Sequence, residues 1–165
     1  MNKILLAVDD SVAGDKAVHH VAGMIQSQKE LAVHIFHAIG PVPPALRESR
    51  GAEDPREEKV IEQELRQKQD SWREKAKTAA EAIIKKARLA LERAGANPEH
   101  ISCSIPLLIH GEDLPNEMVK AARETGSDRI VLGRNCFPWM KEIFADHLDE
   151  EIEKSANGIS VSVID

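Results

Sequence analysis

Five short apolar runs alternate with stretches of helical periodicity along this chain. That alternation leaves few folds open. Residues 3–8, with Ile4-Leu5-Leu6-Ala7-Val8 inside, have the pattern of a strand covered on both faces. Leu31 to Ile39 is a second run, and Gly40-Pro41-Val42-Pro43-Pro44 stops it because proline offers no ladder donor. His100 to Ile109, Ile130 to Gly133 and Ile159 to Ile164 complete the set. Between the runs, apolar positions recur at three and four. Ala17, Val18, Val21, Ala22 and Ile25 do so within Gly14 to Gln26. Ala76, Ala79, Ala80, Ile83, Ile84, Ala87 and Leu91 do so ahead of Gly95, and Leu114, Met118, Val119, Ala121 and Ala122 ahead of Gly126. A last helix opens at Asp149 and runs to about Ala156. Such a series predicts an α/β fold, with a five-stranded parallel sheet, right-handed crossovers and helices on both faces. Ligands of such sheets bind beyond the carboxyl ends of the strands, where strand order reverses. Asp9 and Gly133 end the first and fourth runs, so they border one crevice if those strands are neighbours.

The 165 residues fit a single domain, 1–165. Within it, 41–70 read as a variable and partly helical insertion. Pro55 suits a first helical position, and Arg56 to Arg93 are nearly all helix formers. The half from 55 to 70 is highly charged, with only Val60, Ile61 and Leu65 as an apolar stripe, so it is a projecting helix, a lid or a solvated insertion. Aromatics are 3% of the chain against 42% hydrophobic residues, so the core is aliphatic. A net charge of −6 argues against nonspecific nucleic-acid or anionic-membrane partners. No apolar run approaches the roughly 18–20 residues of a membrane span. The two cysteines, Cys103 and Cys136, suggest no disulfide framework, and the first strand begins with no leader pattern ahead of it. The expected location is the cytoplasm.

A phosphate-binding loop after a parallel strand needs small residues, so that backbone N–H groups reach the anion, and a bare helix N-terminus. After Gly133 this chain has Arg134, Asn135, Cys136, Phe137, Pro138 and Trp139, then the acids Asp146, Asp149, Glu150 and Glu151. Phe137, Pro138 and Trp139 either plug the crevice or offer a partner protein an apolar contact, and Trp72 reads as packing. Cys136 is either a thiol activated by Arg134 or an incidental loop cysteine. Asp9, Asp10 and Ser11 are all good helix-capping types. His34 and His37 point to opposite faces of a strand, and His19 and His20 diverge on a helix. Asp146, His147 and Asp149 lack a recognised ligand spacing, so no metal site is expected. No nucleophile elbow or G-x4-G-K-[ST] loop occurs, and no enzyme is expected. Ile159, Val161 and Val163 alternate with Ser160 and Ser162, which suits an edge strand that a twin would cover.

Several of these segments, in this order, resemble the universal stress protein family. Val8-Asp9-Asp10-Ser11 is similar to its V-D-x-S turn, and Ile35-Phe36-His37-Ala38 to its L-H-V-like second strand. His110-Gly111-Glu112-Asp113 is similar to its glycine turn, and Asp128 to Gly133 to its D-x-I-V-x-G strand. The resemblance implies strand order 3-2-1-4-5, an adenine nucleotide alpha hydrolase-like fold, and a homodimer through Ile159 to Ile164. Nucleotide-binding members follow the fourth strand with G-x2-G-x9-G-[ST]. Laid on this chain, those positions are Gly133, Cys136, Asp146 and His147, so one of four matches. The implied function is a stress-responsive regulatory or interaction protein with a degenerate ATP-binding loop and no cofactor. The alternative is a protein that binds ATP or AMP through non-standard contacts, with Asp9, Ala38, Gly133, Arg134 and Asn135 around the ligand.

Overall fold

In the computed structural model, residues 2–47, 51–140 and 147–165 are described. The strands are β1 (Lys3–Ala7), β2 (Ala32–Phe36), β3 (Ile101–Ser104), β4 (Arg129–Gly133) and β5 (Ser160–Ile164). The helices are α1 (Val12–Ser27), α2 (Pro55–Arg93), α3 (Leu114–Thr125) and α4 (Leu148–Ser155). The sheet order is β3-β2-β1-β4-β5 and every pairing is parallel. This is the order that the family resemblance implied.

Two aliphatic layers hold the sheet. Ile4, Leu6, Val8, Val33, Ile35 and Val131 pack with residues of α1 and α2 on one face. Leu5, Ala7, Phe36, Ile130 and Leu132 pack with residues of α3 and α4 on the other. Alternate residues of β1 thus serve opposite layers, which is why that strand reads as an unbroken apolar run.

The third strand is shorter than its apolar run suggested. Regular pairing stops at Ser104, and the chain returns to the sheet only at the isolated Ile39–Leu107 bridge. Pro106 lies between and has no N–H to give, although its carbonyl accepts from Ile39 at 2.9 Å. Beyond the ladder only Leu108 is buried, while Leu107 and Ile109 are exposed, so the apolar run overstates both pairing and burial.

The charged half of α2 is one continuous helix with the rest. Asp54 caps it by accepting the Arg56 N–H at 2.9 Å, and Pro55 opens it. Only its far half enters the core, through Ala80, Ile84, Ala87 and Leu91, while Val60 stays 53% exposed. The Gln69 amide donates to the Leu46 carbonyl at 2.6 Å and ties the β2–α2 connection to the helix.

Two glycines set how closely β1, β4 and α1 meet. A Cβ on Gly133 would lie 2.1 Å from the Ala13 carbonyl oxygen. One on Gly14 would lie 2.5 Å from the Asp9 side chain. Backbone occupies that space at 133, so nothing soft can yield. Gly23, in the middle of α1, has nothing within 4 Å of a built Cβ. We therefore expect Gly133→Ala to cost about 3 kcal/mol or more in urea unfolding. Gly23→Ala should add about 0.5–1 kcal/mol by restricting the unfolded chain. Equal effects of the two substitutions would contradict the close approach.

Candidate functional site

Strand order reverses between β1 and β4, so the chain leaving β1 and the chain leaving β4 diverge around one crevice. Asp9 stands at its floor and is only 8% exposed. Its Oδ1 accepts the backbone N–H of Ser11 at 3.1 Å and the Ser11 hydroxyl. Ser11, not Asp9, is the cap of α1, since its Oγ accepts the Gly14 N–H at 3.1 Å. The second oxygen, Oδ2, accepts the backbone N–H of Phe137 at 2.6 Å. A carboxylate that sequence alone assigns to helix capping thus ties the first turn of the chain to the loop after β4.

That loop turns sharply. The Gly133 carbonyl accepts the Cys136 N–H at 3.1 Å, and Asn135 and Phe137 take positive φ of 64° and 55°. For phenylalanine this conformation costs about 1–3 kcal/mol. Burial of the ring, 1% exposed, returns about 2–3 kcal/mol. The charge-assisted hydrogen bond to Asp9 adds about 1.5–3 kcal/mol. The strained turn is therefore held by its two ends, ring and amide. The Phe137 ring lies 5.9 Å from the His37 ring and 6.1 Å, edge-on, from that of Trp139. His37 donates its Nδ1–H to the Val8 carbonyl at 2.7 Å. A Cβ on Gly40 would sit 3.0 Å from the Trp139 ring, so that indole rests directly on the backbone after β2.

Around the turn the remaining sequence candidates are spread. Ala38 is buried in the core beside Phe36. Arg134 and Asn135 are exposed. The Arg134 N–H bonds to the Ile164 carbonyl at 2.8 Å, and its guanidinium pairs with Asp165 and, at 3.9 Å, with Asp149. The hydrogen bond to Asp165, then its charge, pushes the guanidinium above its ordinary range. Cys136 is buried, and burial followed by the charge of Asp9 raises its thiol far above neutral pH. Burial and a raised thiol both argue against the activated-cysteine alternative. His147 is exposed at the start of α4, its Nδ1 3.4 Å from Glu150, and Asp146 lies outside the described residues. Among the described residues no three His, Cys, Asp or Glu side chains gather as a metal-binding group.

The crevice is thereby divided. Beside Gly133, Arg134, Asn135 and Asp149 only about 30 Å³ is open, close to the volume of one water, about 30 Å³. On the other side of Asp9 a cavity of about 340 Å³ opens among His37, Gly40, Trp72, Phe137 and Trp139. A longer groove of about 530 Å³ runs between α1 and α2 over Ala22, Gly23, Ala87 and Ala90, with no Phe or Trp along it among the described residues. Sequence reasoning named Phe137, Pro138 and Trp139 together as a plug or a partner contact, and Asp9 apart from them. It missed their contact and the part of Trp72, for which the one available signal was the rarity of aromatics elsewhere.

The chain belongs to the universal stress protein family, whose sequence model matches residues 1–136. No curated protein matches it. Solved structures with the same fold include the hypothetical protein MJ0577, with 26% identity, a TM-score of 0.62, and 99% of this chain and 94% of that one covered. The universal stress protein UspA from Lactobacillus plantarum has 14% identity and a TM-score of 0.62, over 99% of this chain and 97% of its own. A universal stress protein from Archaeoglobus fulgidus in complex with dAMP has 17% identity and a TM-score of 0.54, over 100% and 98%. The architecture is the adenine nucleotide alpha hydrolase-like fold.

If Asp9 holds the loop closed, its removal must uncover Cys136. In a Cys103→Ser background, we expect Cys136 to resist a thiol-specific chromogenic reagent in the folded protein. Asp9→Ala should release it to react at least about tenfold faster, since the buried Phe137 amide loses its acceptor. Unchanged protection in Asp9→Ala would show that the loop stays in place without the carboxylate.

Proposed function

We propose that this universal stress protein acts as a cytoplasmic, stress-responsive regulatory or interaction protein that does not bind ATP tightly. The observation that carries the reading is the filled corner beyond β4. About 30 Å³ beside Gly133 offers no room for a triphosphate. Entry would require Phe137 to leave. Expelling it forfeits ring burial and the Asp9 hydrogen bond and regains the backbone strain, a net cost of about 2–3 kcal/mol. That alone is roughly a hundredfold in affinity. Asp149 beside the corner adds like charge, and the guanidinium of Arg134 is already shared between Asp149 and Asp165. The family match runs to residue 136, and the bulky segment begins with the next.

A non-enzymatic role is part of the reading. Both oxygens of Asp9 are engaged and the Cys136 thiol is buried, so neither supports a nucleophile–base pair. No helix among the described residues is long and apolar enough to cross a membrane, and the net charge of −6 disfavours nucleic acid.

One observation favours a second reading, an adenine-nucleotide sensor. Two solved structures of the fold are universal stress proteins in complex with cAMP and with dAMP. The 340 Å³ cavity borders Asp9 and Ala38. In that reading Asp9, Ala38, Gly133, Arg134 and Asn135 surround the ligand. Calorimetry with ATP and Mg²⁺, and with AMP, separates the two. We expect no binding in the low-micromolar range for either, and such binding would establish the sensor.

We further propose a homodimer through β5. This strand is an edge of the sheet, and Ser160–Ile164 carries no charge or proline to guard it. A twin strand across a two-fold axis would satisfy its free backbone groups. Val161→Lys should move the protein to monomer in sedimentation equilibrium while its far-UV circular dichroism is kept. A persistent dimer would place the interface elsewhere.

A further inference from the structure

The chain has two tryptophans, three phenylalanines and no tyrosine. Both tryptophans and Phe137 line one cavity, the 340 Å³ space between α2 and the loop after β4. Ala76 and Ala79 of α2 leave its wall shallow between Trp72 and Ile83, while Trp139 is pinned against Gly40 on its far side. Among the described residues, the charged ones in its lining are Asp9 and Asp10, with no lysine or arginine. Asp9 has spent its hydrogen bonds on Ser11 and Phe137, but its charge remains. Asp10 is exposed, and no described residue forms an ion pair with it.

We propose that this cavity binds a small planar organic cation, the two tryptophan rings stacking on its body and Asp10, backed by the buried Asp9, meeting its charge. The inference rests on the reading that the site excludes triphosphate, and it names what the remaining space accepts. Ring faces are negative and attract a cation held against them. Carboxylates at the rim of a low-dielectric hollow act in the same direction. An anion meets repulsion from both, and a neutral ring gains stacking alone. The volume lies near the lower end of small-molecule pockets, about 300–1,000 Å³, which suits one or two fused rings.

The two indoles make the site observable, because each gives one Nε1–H resonance and the chain has no others. The test titrates the full-length protein at pH 8 with 1-methylquinolinium, with neutral quinoline and with anionic quinaldate, followed by ¹⁵N-resolved NMR and calorimetry. Both indole resonances should shift with 1-methylquinolinium, and quinoline should bind about tenfold more weakly. Quinaldate should leave both resonances in place. Asp10→Asn, an exposed position that should not disturb folding, should weaken the cation by about threefold or more and leave quinoline unchanged. Equal affinity for cation and neutral ring, preference for the anion, or indoles that do not move would overturn the proposal. A parallel titration with Mg²⁺ and ATP keeps the outcomes apart. Tight ATP binding refutes the reading of the phosphate corner, whereas silence toward both ATP and 1-methylquinolinium refutes only the cation site.

Discussion

The hydrogen bond from the Phe137 amide to Asp9 joins parts of the chain that are 128 residues apart, at the point where the sheet changes direction. Everything distinctive about the crevice depends on it. The amide is buried in a loop, where no ladder or helix would satisfy it, and an unpaired donor there would be costly. The carboxylate is equally buried and would be costly without donors. Each resolves the other, and the Ser11 N–H and hydroxyl complete the set on the near side. With the amide fixed, the ring of Phe137 is held in the core, 5.9 Å from that of His37.

The same contact explains why the crevice has two unlike halves. Toward β5 it is closed by Cys136, Phe137 and the Arg134–Asp149 pair. Toward α2 it stays open, because Gly40 lets Trp139 lie flat on the backbone and because α2 presents alanines. The strand order of this universal stress protein scaffold brings the ends of β1 and β4 to one crevice, and the open half of it is a lined hollow. Its walls are aromatic and its charge is negative.

Most of the architecture was legible in the sequence because β1, β2 and β4 lie in short apolar runs, the second interrupted by His34, and α1 and α3 show clear three–four spacing. The third strand was overextended to Ile109. Of the apolar residues there only Leu108 is buried and Ile105 packed, while Leu107 and Ile109 are exposed; Pro106 breaks the ladder, and hydropathy records neither the missing hydrogen bonds nor the exposure. The long helix was legible from propensity alone, since its first half has almost nothing to bury. At the site, the missing glycines after Gly133 were plain. The positive φ of Phe137 was not, because that conformation is disfavoured for the residue and exists only through contacts distant in sequence. The structural need for Gly133 was half legible. A glycine after a strand signals a special turn, yet the reason here is the Ala13 carbonyl, which only the packing of α1 on β4 brings near.

Native-state hydrogen exchange at the Phe137 amide tests the central contact most directly. An exposed loop amide exchanges at nearly the free rate, whereas one donated to a buried carboxylate opens only with the surrounding structure. We expect Phe137 to exchange as slowly as the amides of β4 and to lose that protection in Asp9→Ala. Rapid exchange in the wild-type protein would mean that the loop is not latched and that the crevice is open in solution.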